Sequence, residues 1–146
     1  MTRDWNAFNH GVVEQFRANG GVVPGRWATQ PLLILTTIGA RSGQLRTIPL
    51  VYSTDDDRLV VIASKGGSPT HPDWYHNLIA NPDATVELGS ETFPVRAQVA
   101  EGVDRRRLFD QQAALMPFFA EYERTTPRAI PVVVLIRVDA DGSASE

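Results

Sequence analysis

Between Leu32 and Asn77 the chain carries two cationic, glycine-bearing turns and one aromatic segment, each beside a run that reads as strand. The turns are Gly39-Ala40-Arg41-Ser42-Gly43-Gln44-Leu45-Arg46-Thr47 and Ala63-Ser64-Lys65-Gly66-Gly67; the segment is His71-Pro72-Asp73-Trp74-Tyr75-His76-Asn77. Arg41, Arg46 and Lys65 bring fixed positive charge, the serines bring short donors, and the glycines let backbone approach closely. An anionic, phosphate-bearing ligand needs all three. Trp74 and Tyr75 offer aromatic faces and Asn77 an amide that donates and accepts, a set suited to flanking a planar ring. Plainer readings exist: Arg41 and Arg46 as solvated surface cations, Trp74 as the core anchor of a short helix. The second cationic turn favours a ligand, because paired glycines cost backbone entropy unless their conformation is used.

Other chemistries find less support. Neither turn matches a phosphate loop, and no Gly-x-Gly-x-x-Gly fingerprint is present. Ser42 and Ser64 lie outside any Gly-x-Ser-x-Gly elbow, which argues against a hydrolase. His71 and His76 with Asp73 lack a second cluster to complete a zinc site, so no metal is expected, and His10 reads as a surface residue. The net charge of -3 argues against a nucleic-acid partner. No apolar run approaches the roughly 20 residues that cross a bilayer. Met1 to Asn6 resembles no export signal, and with no cysteine in the chain a cytoplasmic, reducing location is the default expectation.

At 146 residues the chain suits one domain. Trp5, Phe8, Val12, Val13 and Phe16 form a helical stripe over Asp4–Asn19, with Asp4 as cap and Gly20-Gly21 as stop. That stripe can pack on the domain, cover a partner subunit or lie on a membrane surface. Strands are expected at Leu32–Ile38, Thr47–Ser53 and Arg58–Ser64, the last two joined by an Asp55-Asp56-Asp57 turn, the three forming a meander. A short helix follows over Pro72–Ala80, then a hairpin of Ala84–Leu88 and Thr92–Val99. Helices are expected at Val103–Ala114, with Arg105-Arg106-Arg107 on a solvated face, and at Phe118–Arg124 after Pro117. Ile130–Val138 closes as a strand buried on both faces. Six strands with few helices indicate an α+β, mainly antiparallel split β-barrel. Its parts would be an N-terminal helix and linker over 1–25, a barrel over 26–139 and a loose polar tail over 140–146.

The ordered set Leu32-Leu33-Ile34-Leu35-Thr36-Thr37, Gly39-x-Arg41-Ser42-Gly43-x-x-Arg46-Thr47-x-Pro49-Leu50, Ala63-Ser64-Lys65-Gly66-Gly67 and His71-Pro72-x-Trp74-Tyr75-x-Asn77 resembles the deazaflavin-dependent nitroreductase family, which includes the F420H2-dependent quinone reductases. The likeness continues through Asn81-Pro82 to Arg128-x-Ile130-Pro131-Val132. It implies a split barrel that binds coenzyme F420, a deazaflavin with a phospholactyl and polyglutamate tail, and passes a hydride from its reduced form to a quinone, enone or nitro compound.

The same resemblance implies site residues. Cofactor binding falls to Arg41, Ser42, Gly43, Arg46, Thr47, Ile48 and Pro49, to Ile62, Ala63, Ser64 and Lys65, and to Trp74, Tyr75, Asn77 and Phe119. Val51, Met116, Phe119 and Tyr122 would line the acceptor pocket, with Tyr122 and Ser64 as candidate catalytic groups. Relatives that reduce nitroimidazoles carry tyrosines where Met116 and Phe119 stand here, which favours an apolar quinone or enone. Ala40 occupies a position often basic in the family. FMN in place of F420, a non-enzymatic carrier, peripheral membrane contact through the first helix, and a monomer or homodimer stay open at this point.

Overall fold

The computed structural model describes residues 5–21, 23, 31–64, 71–126 and 128–138. Asp4, the Lys65-Gly66-Gly67 turn, the tail and the side chains of Trp5 and Phe8 lie outside the described residues. In chain order the elements are α1 (Trp5–Ala18), β1 (Leu32–Ile38), β2 (Leu45–Val51), β3 (Ser53–Asp55), β4 (Arg58–Ile62), α2 (Asp73–Ala80), β5 (Asp83–Leu88), β6 (Glu91–Val99), α3 (Gly102–Leu115), α4 (Phe118–Thr125) and β7 (Val132–Arg137). The strands form one antiparallel sheet in the order β2-β1-β5-β6-β7-β4-β3, curled into a half-barrel of the expected α+β, split-barrel type.

The expected meander does not form. The run Thr47–Ser53 is broken: β2 ends at Val51, Tyr52 stands outside the ladder, and β3 begins at Ser53. β2 pairs with β1, while β3 pairs with β4 and β4 with β7, Leu59 lying opposite Leu135. The two ends of the sheet order are therefore neighbours in sequence, joined through Tyr52, whose amide donates to the Pro31 carbonyl at 3.1 Å. No glycine or proline marks the break at Tyr52, so residue type gives no warning of it.

Alternation along the strands divides the core into clusters. Leu33, Leu35, Leu59, Val61, Val86, Val95, Val133 and Leu135 face one another across the concave side, where Trp74 and Leu78 of α2 pack among them. The intervening residues Val60, Ile62, Val132 and Val134 face outward under Leu108 and Phe109 of α3 and Phe119 of α4. Leu32 and Ile34 face outward under Val12, Val13 and Phe16 of α1. β1, β4 and β7 are thus covered on both sides, which is why their sequences are continuous apolar runs.

Of the readings open for the first helix, the structure shows packing on the domain. Its Arg17 grips Glu87 of β5 with Nε and Nη2 at 2.8 and 2.7 Å. Behind it Gly21, at φ 97, lies so close to the β5–β6 turn that a Cβ would stand 2.7 Å from the Gly89 Cα.

The arginine run is not simply solvated. Arg105 donates to the Ile130 carbonyl, Arg106 bridges Asp110 and Glu123, and Arg107 bridges Asp104 and Asp55. The Arg107–Asp55 pair, with Gln111 Nε2 donating to the Thr54 carbonyl at 2.6 Å and Ser53 Oγ donating to Gln112 Oε1 at 2.8 Å, clamps α3 onto the β3–β4 hairpin.

Candidate functional site

The β1–β2 connection is held by its own short bonds. Gly39 N donates to Gln44 O at 2.8 Å, Gly43 N to Gly39 O at 2.9 Å, and Gln44 N to Ser42 Oγ at 3.1 Å. Glycine is needed at two of these positions: a Cβ on residue 39 would stand 2.7 Å from Ser42 Oγ, and residue 43 has φ 70. Because Ser42 Oγ accepts from Gln44, its own hydrogen is left to donate outward. Arg41 and Arg46 project from this frame exposed. Among the described residues they are the arginines that make no hydrogen bond or ion pair; Arg17, Arg58, Arg96, Arg106, Arg107, Arg124 and Arg137 meet carboxylates, and Arg105 and Arg128 meet carbonyls. Uncompensated cations on a rigid turn, with a hydroxyl donor between them, fit the phosphate and carboxylates of an anionic cofactor tail.

Register decides which neighbours share that face. Arg46 lies opposite Thr37 and Ile48 opposite Leu35, and opposed side chains occupy the same side of a sheet. Ile48 packs against the concave cluster with Trp74. Thr47 and Pro49 belong to the other side, where the hydroxyls of Thr47 and Thr36 lie 3.1 Å apart. A ligand on the concave face would meet Thr47 and Pro49 through their backbones.

α2 begins at Asp73 behind Pro72. It buries Trp74, Asn77 and Leu78 and leaves Tyr75 half-buried beside His71, with ring centroids 4.9 Å apart. Asn77 reaches to the hairpin with both ends of its amide: its Oδ1 accepts from Ala40 N at 2.9 Å and its Nδ2 donates to Thr37 Oγ1 at 3.0 Å.

The end of β4 carries Ile62, Ala63 and Ser64, all buried. Ile62 faces the α3–α4 cluster and Ala63 the concave one. Arg128 holds this end. Its Nη2 donates to the carbonyls of Ala63 and Ser64 at 3.1 and 2.7 Å, and its Nη1 lies 2.7 Å from His71 Nδ1. A guanidinium only donates, so His71 Nδ1 accepts and the imidazole is neutral with its hydrogen on Nε2. Burial, the Arg128 charge and His76, in that order, push the His71 pKa below its ordinary value. Sequence reasoning weighed His71 only as a metal ligand and gave Arg128 no role; the one signal available was that both stand in the ordered motif set.

The acceptor-pocket candidates come together as well. Val51, Ile62, Met116, Phe119 and Tyr122 share the α3–α4 cluster, with the Phe119 and Tyr122 rings edge to face at 5.9 Å. Met116 and Phe119 are buried and Tyr122 half-buried. This group lies on the opposite side of β4 from Trp74 and Ala63, the two sets alternating along the strand end. Lys65 lies outside the described residues.

Against known proteins, residues 9–137 match the family model for F420H(2)-dependent quinone reductase. The F420H(2)-dependent quinone reductase of Mycobacterium tuberculosis is 41% identical over 123 residues, covering 81% of this chain and 79% of that protein. A solved F420-H2 dependent reductase has 38% identity and a TM-score of 0.67 over 72% of this chain and 93% of its own. A second solved structure, described as a domain-swapped dimer, has 34% identity and a TM-score of 0.69 over 90% and 97%. Sequence match and shared fold agree, and the chain belongs to the F420H(2)-dependent quinone reductase family.

Proposed function

We propose that this protein is an F420H2-dependent reductase whose acceptor is a quinone. The observation that carries the reading is the braced turn bearing the unpaired Arg41 and Arg46, in a chain whose family takes reduced F420. When bound, reduced F420 supplies a hydride from C5 of its deazaflavin ring. Arg41, Ser42 and Arg46, with Lys65, hold the anionic tail. Trp74 and the Ala63-Ser64 strand end bound the ring, and the buried apolar walls around them exclude water. Met116, Phe119 and Tyr122, on the other side of β4 from Trp74 and Ala63, suit a flat, apolar acceptor that meets the ring past the end of that strand, and the Tyr122 hydroxyl is the proposed hydrogen-bond donor to an acceptor oxygen. Enones and nitro compounds extend the same proposal.

The family match makes FMN unnecessary as an alternative cofactor. A second copy of the chain is a proposed partner, on the strength of the 34% identical relative that forms a domain-swapped dimer. No described helix is long and apolar enough to cross a membrane. The test is a fluorescence titration with F420, followed by addition of menadione to the complex with reduced cofactor. Binding with menadione-dependent return of the oxidised absorbance supports the reading, and absence of F420 binding ends it.

A further inference from the structure

We infer that Asn77 is a positioning residue that sets the anion-gripping turn against α2, and that it acts through Ala40 and Thr37 instead of touching the cofactor. The inference rests on the proposed use of Arg41 and Ser42 for the cofactor tail.

Asn77 is 7% exposed and Thr37 1%. The single carboxamide ties α2 to both the end of β1 and the turn that follows it, accepting from the backbone amide of Ala40 at 2.9 Å and donating to the side-chain hydroxyl of Thr37 at 3.0 Å. Ala40 immediately precedes Arg41, so fixing its amide fixes where the two exposed residues, Arg41 and Ser42, leave the hairpin. Three residues earlier on the same helix stands Trp74, buried on the concave side. One side chain therefore sets the offset between a cationic turn and an aromatic platform. A ligand with anionic groups at one end and a planar ring at the other has to satisfy both at once, and its affinity depends on that offset.

The turn's internal bonds, Gly39 N to Gln44 O and Gly43 N to Gly39 O, do not involve Asn77. Removing the amide leaves the hairpin formed but free to shift against α2. Leucine or alanine can supply neither bond, and the Thr37 hydroxyl is a buried polar group whose lost partner is felt, while the Ala40 amide loses a part-buried one.

The experiment compares binding of F420 with binding of the deazaflavin core lacking phosphate and glutamates, in the wild-type protein, Asn77→Ala and Thr37→Val. Backbone amide exchange is followed in the ligand-free proteins. The expected result is a roughly tenfold loss of F420 affinity in Asn77→Ala, with the tail-less core changed by less than about twofold. Faster exchange at Ala40 should accompany it. Thr37→Val removes one leg without touching the turn and should give the same selective loss in weaker form. Equal losses on both ligands would mean direct contact with the ring, and unchanged affinity in both variants would mean a purely local role; either overturns the inference. Failure of the wild-type protein to bind F420 sinks the functional reading instead, and is told apart because it appears before any variant is compared.

Discussion

Arg128 Nη1 lies 2.7 Å from His71 Nδ1, so a permanent cation and a titratable base share one hydrogen bond, while Nη2 of the same guanidinium holds the Ser64 carbonyl. Protonating His71 would set two positive groups face to face. The folded-state pKa is depressed, so this contribution to stability is complete above the ordinary His value of about 6.5 and is lost as pH falls through the lower folded value. Imidazole NMR should show the Nε2-H tautomer at neutral pH and a midpoint below 6.5. Arg128→Leu should raise that midpoint, since a charge cause disappears while burial stays. A midpoint at or above the ordinary value in the wild-type protein contradicts the clasp.

Among the described residues, the side chains of Arg41 and Arg46 make no hydrogen bond or ion pair. Arg41→Gln and Arg46→Gln should each weaken F420 binding by about tenfold and leave the melting temperature within a degree or so. Binding by the wild-type protein should also fall as salt is raised. A fall in melting temperature with intact binding would assign these residues to structure.

Two glycines near the N-terminal helix should respond in opposite directions. Gly11 sits inside α1 with nothing within 4 Å of an added Cβ, so Gly11→Ala should stabilise by about 0.5–1 kcal/mol. Gly21→Ala meets the Gly89 backbone and an unfavourable φ together, and should destabilise by about 1–3 kcal/mol. Urea unfolding of the two variants measures both.

Asp55 accepts from Arg107 and Arg58, which lower its pKa from 3.8 to about 2, the Arg107 bond contributing most. The stabilisation is complete above the unfolded value near 4 and disappears as pH falls toward 2, amounting to about 2 kcal/mol at most. Asp55→Asn should be less stable at neutral pH and should flatten the acid limb of the stability curve. An identical acid limb in the variant would show that other carboxylates govern it.

Tyr122→Phe keeps the edge-to-face ring against Phe119 and removes only the hydroxyl. It should lower quinone turnover several-fold with F420 affinity unchanged. Unaltered kcat removes Tyr122 from the chemistry.

Much of this was legible in the residues. The apolar runs of β1 and β7, the Gly89-Ser90 turn and the Pro72 start of α2 each announce themselves through local chemistry. Arg41 and Arg46 by themselves read as readily as solvated surface cations, and it was the second cationic turn at Ser64-Lys65-Gly66-Gly67 that favoured a ligand. Three things stayed hidden, each for want of a local cause. The break at Tyr52 is set by closure of a curled sheet, and its flanking residues are all good strand formers. The arginine run of α3 reads as surface until tertiary structure brings Asp55 and Glu123 beside it. Asn77 presents the same letter whether it reaches for a ligand or for Ala40, and only the fold says which groups lie within reach.

The strand order also dictates a sequence of assembly. β4 sits between β3 and β7, so during synthesis its inner edge has no partner until residues 132–137 have left the ribosome. Arg128, which pins the carbonyls of Ala63 and Ser64, arrives in the same late stretch. The nascent chain therefore carries an apolar strand with one open edge through about half of translation, and the strand end at the proposed ring site is among the last parts to be set. A ribosome stalled near residue 125 would hold a hairpin, α1 and α2 in place around an unfinished wall, a species open to edge pairing with its neighbours.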